Sequence, residues 1–364
     1  MIPKRTKRIT SEWLNTVLHD SGYLKDVYIE SISREPWGAG EGLSSDMARL
    51  TITYDKESPE LPMTMIVKMP TTFRTALTIA LQYNIYEKEI RFYNEVAPKS
   101  PIRVPEVIYS DIDSENKKFI LILEDCSNYK QIDQIEGLNQ EQTILIIDAI
   151  ADFHARWWDA PDLYSFDWVS KPRDKYSMSL IDTYRNNWDL AIKSKEFKEI
   201  LPEGSQKVGE KIYKHFPWLV TDNPDEDLTI AHFDFRADNF FFDFENKENP
   251  LIVCDWGSAS VSGGILDIAY LLGNSLKIDL RRKIEKKMIN HYIKQLEKKG
   301  ITGFDFDYSW DFYLKSLMTY AFIPVLEYTQ LDISNPRATE LFKSMTKRQF
   351  TAISDNDATS ICPK

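Results

Sequence analysis

The stretch 231–257 constrains this chain more than any other, because it combines spaced polar residues with an apolar run. His232 and Asp234 form an H-x-D pair, and Asn239 follows with four residues between it and Asp234. The apolar run then predicts a strand that ends at Asp255, 21 residues after Asp234. This spacing leaves room for a loop and a short hairpin, so we expect two carboxylates and one amide within reach of one point.

Phosphoryl transfer from ATP needs that set of side chains. One carboxylate orients the attacking hydroxyl and accepts its proton, while an amide oxygen and a second carboxylate hold Mg²⁺ on the phosphates. A lone Asp–Asn pair in a loop is more often turn chemistry, because both side chains can cap their own backbone. Here the H-x-D pair, the amide and the strand-end Asp255 occur together, which favours the catalytic interpretation.

The first third of the chain has the features of a phosphate-binding region. The segment 37–45, WGAGEGLSS, is a glycine-rich turn between predicted strands, and glycines let backbone N–H groups approach phosphate oxygens. Lys68 ends an apolar run, and Glu89 follows 21 residues later in a segment with helical spacing. A helix Glu paired with a strand Lys would direct the ammonium group at the α- and β-phosphates. Taken alone, the turn is also typical of an ordinary hairpin, and Lys68 of a surface lysine.

Short β-like segments dominate up to about residue 124, and helical patterns follow residue 139. Residues 49–54 and 63–68 are predicted to be neighbouring antiparallel strands, and 119–123 is a compact apolar strand.

We therefore predict two domains and a tail for the 364 residues. Residues 1–126 form a smaller lobe with an N-terminal helix that Thr10 or Ser11 caps. Residues 127–353 form a larger helical lobe, and 354–364 a flexible polar tail.

Composition and charge limit the partners of the chain. Its 45 Lys and Arg against 56 Asp and Glu give a net charge of −11, which argues against nucleic-acid binding and against docking on anionic membranes. The 3 cysteines are too few and too scattered for a disulfide framework or a zinc site, and they fit a reducing compartment. Without a signal peptide or a membrane-length apolar run, we expect a cytoplasmic protein. The sequence does not indicate its oligomeric state.

The order of these motifs resembles a kinase fold. A glycine-rich loop, a strand Lys, a helix Glu, a Glu-Asp strand end, H-x-D-x-x-x-x-N and D-W-G follow one another, whereas the A-P-E element of protein kinases is absent. The chain resembles the aminoglycoside phosphotransferase and choline kinase superfamily, and within it the ecdysteroid-kinase-like branch most closely, from about Trp13 to about Gly273. The E-x-x-F-Y that begins at Glu89 and the GGILDIA segment at 263–269 belong to this match.

The resemblance implies an α+β, two-lobed protein-kinase-like fold. A small N-lobe with a five-stranded antiparallel sheet would precede a larger, mainly helical C-lobe, and ATP would bind in the cleft. Asp234 would be the catalytic base, and Asn239 and Asp255 would hold Mg²⁺. Lys68 and Glu89 would form the phosphate-orienting ion pair. The other implied site residues are Gly38, Gly40, Gly42 and Ser44 in the phosphate loop, Glu124 and Cys126 in the adenine hinge, His232 as a brace of the catalytic loop and Asp267 as its anchor.

Two positions depart from the family pattern. Members of the family usually have Gly where this chain has Phe233, and often Gln where it has Gly257. Phe233 would reshape the catalytic loop, and Gly257 makes the metal motif more similar to that of protein kinases. Neither departure removes a catalytic group.

The sequence thus predicts an ATP- and Mg²⁺-dependent kinase that phosphorylates a hydroxyl of a small molecule, such as an amino-alcohol, an antibiotic or a sterol. One alternative is a catalytically silent pseudokinase that only binds nucleotide, which would lack a catalytic group. The other is a protein kinase, against which the missing A-P-E element argues. The identity of the acceptor is not predicted.

Three further features have two interpretations each. His154 lies on an apolar helix stripe, where we expect a buried, hydrogen-bonded histidine rather than a metal ligand. The basic run 281–287 is expected to be a solvated helix face, although it would also attract an anionic substrate. For each of four tryptophans, core packing is the favoured interpretation, and a place in an acceptor pocket for a cationic amino-alcohol is the other. They are Trp157, Trp158, Trp168 and Trp188.

Overall fold

The computed structural model describes residues 2–38, 45–224, 226–329 and 335–364. The chain forms two compact units, which are Met1–Lys99 with Val104–Lys130 and Ser100–Arg103 with Gln131–Lys364. The boundary thus falls after Lys130, four residues beyond the predicted boundary after Cys126.

The first unit is built on a five-stranded antiparallel sheet, which confirms the predicted sheet. Its strands are β1 (Ile29–Pro36), β2 (Ser45–Tyr54), β3 (Thr64–Pro70), β4 (Val107–Asp113) and β5 (Lys118–Glu124). They lie in the order β1-β2-β3-β5-β4. Strands β2 and β3 are neighbours as predicted, with Leu50 opposite Met65.

Helix α1 (Ser11–Asp20) covers one face of this sheet. The Thr10 hydroxyl oxygen caps the helix by accepting a hydrogen bond from the backbone N–H of Trp13 at 3.2 Å. Side chains two residues apart in a strand share a face, so alternate strand residues form one core with the helix. That core includes Leu14, Val17, Leu18, Leu50, Ile52, Met65, Val67, Ile120 and Ile122.

The predicted helical segment that contains Glu89 is interrupted on its N-terminal side. Helix α2 (Arg74–Gln82) and helix α3 (Ile85–Arg91) are separated at Asn84, which has a φ angle of +57°. Asn adopts this left-handed conformation at lower cost than most residues, so the chain changes direction there. A π-helix over Phe92–Val96 continues α3.

The second unit is mainly helical, as predicted. Its helices are α4 (Gln140–Trp157), α5 (Asp162–Ser165), α6 (Lys175–Ala191), α7 (Lys195–Ile200), α8 (Ser205–Thr221), α9 (Ile265–Ser275), α10 (Ile278–Lys298), α11 (Phe306–Thr319), α12 (Phe322–Tyr328) and α13 (Pro336–Asp355). Within the described ranges, none of the helices combines the length and apolar character needed to span a bilayer.

Short strands frame the stretch 231–257. They are β6 (Lys130–Gln131), at the boundary of the units, and β7 (Thr229–Ala231), β8 (Phe240–Phe242), β9 (Leu251–Val253) and β10 (Ser260–Ser262). In the antiparallel pairs β7–β10 and β8–β9, Ala231 faces Ser260 and Phe240 faces Val253. The segments 232–239 and 254–259 therefore leave the paired strands next to each other.

The last residues do not form the predicted flexible tail. A 3₁₀ helix (Ala358–Ile361) follows α13, and its Ala358 is fully buried. The Cys362 side chain lies 3.9 Å from the sulfur of Met318 on α11. The polar composition of residues 354–364 predicted a disordered end, but the few small apolar side chains of this segment pack on the helical unit.

The basic run 281–287 is not a uniformly solvated face. Arg281 is 1% exposed, and its guanidinium donates to the carboxylates of Glu285, at 2.7 Å, and Asp355. Local spacing did not predict the pair of Arg281 with Asp355, because Asp355 lies 74 residues further along the chain.

Replacing Arg281 by Ala is expected to lower the free energy of unfolding by about 3 kcal/mol, because Glu285 would stay buried without its counter-charge. Urea denaturation followed by circular dichroism measures the change. Lys283→Ala removes the same charge from an exposed position and should remain within about 0.5 kcal/mol of wild type. Equal unfolding midpoints for the two variants would contradict the structural role of the Arg281 pair.

Candidate active site

The predicted catalytic loop is the segment 232–239, between β7 and β8. The carboxylate of Asp267, on α9, accepts hydrogen bonds from the backbone N–H groups of His232 at 2.7 Å and Phe233 at 2.9 Å. The His232 side chain is fully buried, and its Nε2 lies 2.9 Å from the backbone carbonyl oxygen of Cys254. Asp267 and His232 therefore fix the start of the loop to α9 and to the segment after β9.

Phe233 has a backbone conformation that favours glycine. Its φ angle is +71°, in the left-handed region where a Cβ is strained. This is a physical reason for the glycine that the family pattern has at this position. The carbonyl oxygen of Phe233 accepts a hydrogen bond from the Tyr320 hydroxyl at 3.0 Å, and its ring packs on Tyr320 and Phe322. Tyr320 and Phe322 therefore hold Phe233, the residue that departs from the family pattern, in this conformation.

Asp267 is itself positioned by a buried network. His154 is fully buried and hydrogen-bonded, as predicted. Its Nε2 lies 3.2 Å from Oδ2 of Asp267, and its Nδ1 lies 2.8 Å from the hydroxyl of Tyr292. Gly264 permits this arrangement, because a Cβ there would lie 2.1 Å from the Tyr292 hydroxyl and 2.5 Å from Nδ1 of His154. Close packing therefore requires glycine at position 264.

Asp234 receives two side-chain donors. Asn239 Nδ2 donates to its Oδ2 at 3.1 Å and to its backbone carbonyl at 2.7 Å, and Arg236 Nε donates to its Oδ1 at 3.2 Å. The side chain keeps 29% of its exposure, so a substrate hydroxyl can reach it. Removal from water raises the pKa of the Asp234 carboxyl, the charge of Arg236 opposes this, and the nearby charge of Asp255 adds to the rise.

Asn239 and Asp255 lie at the same end of the β8–β9 pair. The backbone N–H of Cys254 donates to the carbonyl oxygen of Asn239 at 3.0 Å. Asp255 follows directly, with a φ angle of +65° that turns the chain into a 3₁₀ helix (Trp256–Ser258). The strand register thus brings together the two residues that were predicted to hold the metal.

The donor set at this end of the strands fits Mg²⁺. Asn239 uses its amide nitrogen to bind Asp234, so its side-chain oxygen is the atom left for a metal. With the carboxylate of Asp255 this would give two oxygen ligands, and Mg²⁺ commonly takes one or two protein carboxylates together with phosphate oxygens and water. In the described part of the chain, no three His, Cys, Asp or Glu side chains form a metal cluster. Phosphate and water oxygens would complete the coordination.

The support of the loop includes residues that sequence reasoning missed. Arg236 bonds to Asp234 at 3.2 Å and to Asp238 at 2.6 Å. The Gln134 side-chain oxygen accepts a hydrogen bond from the backbone N–H of Ala237 at 2.8 Å. The backbone N–H of Gln134 donates to Oδ1 of Asp238 at 3.0 Å. The alternating charges of D-F-R-A-D could have predicted that Arg236 binds the two flanking carboxylates. No sequence pattern could have predicted the bond of Gln134, because it lies 103 residues from Ala237 in the sequence.

In the first unit, Lys68 of β3 and Glu89 of α3 form the ion pair that the motifs predicted. The Lys68 Nζ lies 2.5 Å from Oε1 of Glu89, and the two side chains are 7% and 1% exposed. Moving two charges out of water costs several kcal/mol per ion, so such a pair is weak evidence for stability. A buried pair of this kind is better explained by a functional role for one of its charges.

Of the four residues predicted in the phosphate loop, the structure describes one. Gly38 follows β1 with a φ angle of +62°, a conformation that suits glycine. Gly40, Gly42 and Ser44 lie outside the described residues.

The predicted adenine hinge follows the sheet directly. Glu124 ends β5, and Cys126 begins a 3₁₀ helix. Asp125 between them was not predicted as a site residue. Its carboxylate accepts hydrogen bonds from Nε of Arg49 at 2.6 Å and from the backbone N–H of Ser127 at 3.0 Å. These bonds fix the backbone of the segment after β5.

Three of the four tryptophan candidates are core residues. Trp157, Trp168 and Trp188 are at most 4% exposed, so core packing explains them. Trp158 is half-buried and packs against Phe304. Only Trp158 among the four has an accessible ring surface.

Solved structures share the fold at low sequence identity. The GDP complex of wild-type aminoglycoside 2'-phosphotransferase-IIIa has a TM-score of 0.57 at 14% identity, and the match covers 94% of this chain and 99% of that one. An ethanolamine kinase of Plasmodium vivax has a TM-score of 0.57 at 11% identity, with 94% of this chain and 88% of that one covered. These likenesses confirm the predicted α+β kinase-like fold.

Sequence comparisons identify the family. An uncharacterized kinase-like protein of Caenorhabditis elegans is 23% identical over 217 residues, which cover 56% of this chain and 55% of that protein. The chain thus spans about half the length of this curated relative. The ecdysteroid kinase-like family matches residues 39–301, well over half of the chain. As its motifs predicted, this chain belongs to the ecdysteroid kinase-like family.

Proposed function

We propose that this protein is an ATP-dependent phosphotransferase that transfers the γ-phosphate to a hydroxyl of a small molecule. The observation that carries the proposal is the cluster of Asp234, Asn239 and Asp255, in which Asp234 stays accessible. The buried Lys68–Glu89 pair and the kinase-like family support it.

In the proposed reaction, the acceptor hydroxyl attacks the γ-phosphorus. Its oxygen forms the new O–P bond while the bond from the γ-phosphorus to the β–γ bridging oxygen breaks, and ADP leaves. The hydroxyl proton passes to the carboxylate of Asp234. Asn239 and Arg236 orient that carboxylate before the acceptor arrives, so little reorganisation is needed in the transition state.

Positive charge must offset the phosphates. Asn239, through its side-chain oxygen, and Asp255 would hold Mg²⁺, which would supply positive charge against the phosphates. Lys68 would supply a fixed ammonium group for the α- and β-phosphates, and Glu89 would orient it.

A small molecule is favoured over a protein as the acceptor. The fold neighbours include an aminoglycoside phosphotransferase and an ethanolamine kinase, and the chain lacks the A-P-E element of protein kinases. A silent pseudokinase is the alternative, but all of the expected catalytic side chains are present, which favours an enzyme. The 3 cysteines of the sequence are too few and too scattered for a disulfide framework, which supports a reducing, cytoplasmic location.

Asp234→Asn is expected to lower turnover by roughly 10²–10⁴-fold while leaving ATP affinity near that of wild type, because the amide cannot accept the hydroxyl proton. Transfer of labelled γ-phosphate to a panel of hydroxyl-bearing metabolites and antibiotics measures turnover and identifies the acceptor class. Glu245→Gln, at an exposed position in the β8–β9 connection, removes one negative charge and should keep full activity. An unchanged rate in Asp234→Asn would remove Asp234 from the proposed chemistry.

Asp255→Ala is expected to weaken binding of Mg·ATP by about tenfold or more, because one of two protein oxygen ligands is lost. Calorimetric titration with ATP, with and without Mg²⁺, measures this and does not require a known acceptor. The loss should be confined to the titration with Mg²⁺. Wild-type affinity for Mg·ATP in the variant would show that Asp255 does not hold the metal.

A further inference from the structure

A cavity of about 480 Å³, largely open to solvent, lies at the surface of the second unit, between the start of α10 and the second half of α13. Its lining includes four basic side chains, Lys277, Arg282, Lys347 and Arg348, against one acidic side chain, Asp279. None of the candidate active-site residues lines it. Such a concentration of positive charge is unexpected in a chain with a net charge of −11.

Part of the positive charge in this cavity is already balanced. Arg282 donates to both oxygens of Asp355, at 2.7 and 2.9 Å, and lies 3.7 Å from Asp279. Lys277 and Lys347 are exposed, and neither forms an ion pair with a residue in the described ranges. The cavity therefore retains two ammonium groups that an anion can bind.

Arg348 is the buried member of the lining, with 6% exposure. Its guanidinium donates to the backbone carbonyls of Gln134 at 2.6 Å, Asn274 at 2.9 Å and Ile135 at 2.7 Å. These bonds use three of the five guanidinium N–H groups, and the three carbonyls carry no negative charge. The charge of Asp133 acts on Arg348, but that carboxylate is bonded to Arg337. Burial lowers the pKa of Arg348 to about 10. An anion in the cavity would stabilise this desolvated charge.

The start of α10 adds backbone donors beside the cavity. This helix has 21 residues, its N-cap residue is Lys277, and no side chain caps it. The first N–H groups of a helix have no acceptor within the helix, and the helix dipole favours negative charge there. Ile278 and Asp279, in the first turn, line the cavity.

We propose that this cavity binds the phosphate group of a small molecule, held by Lys277, Lys347, Arg348 and the first turn of α10. Phosphate oxygens suit ammonium groups, a guanidinium and an uncapped helix start at the same time. The site is separate from the candidate active site, and its occupation does not depend on the proposed phosphotransferase activity.

Arg348 connects this cavity to the catalytic loop. Its guanidinium donates to the backbone of Gln134, whose side-chain oxygen accepts from the N–H of Ala237. Ala237 lies between Asp234 and Asn239 in the loop. A phosphate group that orders Arg348 therefore also orders Gln134 and reduces opening of the loop.

Calorimetric titration of the full chain with pyrophosphate, in the presence of EDTA, tests the site. The double variant Lys277→Ala/Lys347→Ala changes two exposed residues and should fold normally. We expect it to bind pyrophosphate about tenfold or more weakly than wild type. Lys343→Ala removes an exposed lysine one turn earlier on α13, outside the cavity, and should bind as wild type does.

Equal affinity of wild type and the double variant for pyrophosphate would overturn the site. Sedimentation with vesicles that contain phosphatidylinositol 4-phosphate distinguishes the source of the phosphate group. Binding to these vesicles without binding to pyrophosphate would identify a lipid headgroup and overturn the small-molecule ligand. A wild type that binds neither pyrophosphate nor the vesicles would overturn the site.

Hydrogen exchange followed by mass spectrometry tests the connection to the loop. In wild type, pyrophosphate should slow exchange of the backbone amides in 232–239, and in the double variant it should not. Unchanged exchange in protein that binds pyrophosphate would overturn the connection. None of these three measurements uses catalysis, so a failure of the phosphate site is distinguishable from a failure of the proposed function.

Discussion

The buried carboxylate of Asp267 is the interaction on which the candidate active site depends. It accepts hydrogen bonds from the backbone N–H groups of His232 and Phe233, and it lies beside the ring of His154. A carboxylate with no exposed surface is costly unless it is hydrogen-bonded, by several kcal/mol. Two backbone donors and an imidazole offset this cost. Because the donors belong to the first residues of the segment 232–239, the same bonds that stabilise the carboxylate also fix that segment.

This anchoring explains how the loop keeps a strained residue. A non-glycine residue in the left-handed region costs on the order of 1 kcal/mol or more, and Phe233 has a φ angle of +71°. Its N–H is bound by Asp267 and its carbonyl oxygen by Tyr320. Relaxing φ would break both bonds and leave polar groups unpaired, which costs about 1–3 kcal/mol for each buried group. The strained conformation is therefore the less costly one.

The sequence separation between the two partners of an interaction determined whether the interaction could be predicted. The cap of α1 by Thr10 and the pairing of β2 with β3 were predicted because they depend on residues close in sequence. The Lys68–Glu89 pair was predicted because the spacing of a known motif encodes it. The Arg281–Asp355 pair and the bond from Ala237 to Gln134 were missed, since their partners lie 74 and 103 residues apart and neither sequence pattern is unusual.

Several segments that are distant in sequence hold the loop 232–239 by its backbone. Asp267 binds its first N–H groups, Gln134 binds the N–H of Ala237, and the N–H of Cys254 binds the carbonyl of Asn239. Catalysis by positioning is sensitive to displacements of about 1 Å. Loss of one of these anchors would therefore misplace Asp234 without changing it. In the proposed reaction the position of Asp234 therefore depends on these anchors as much as on the residues of the loop itself.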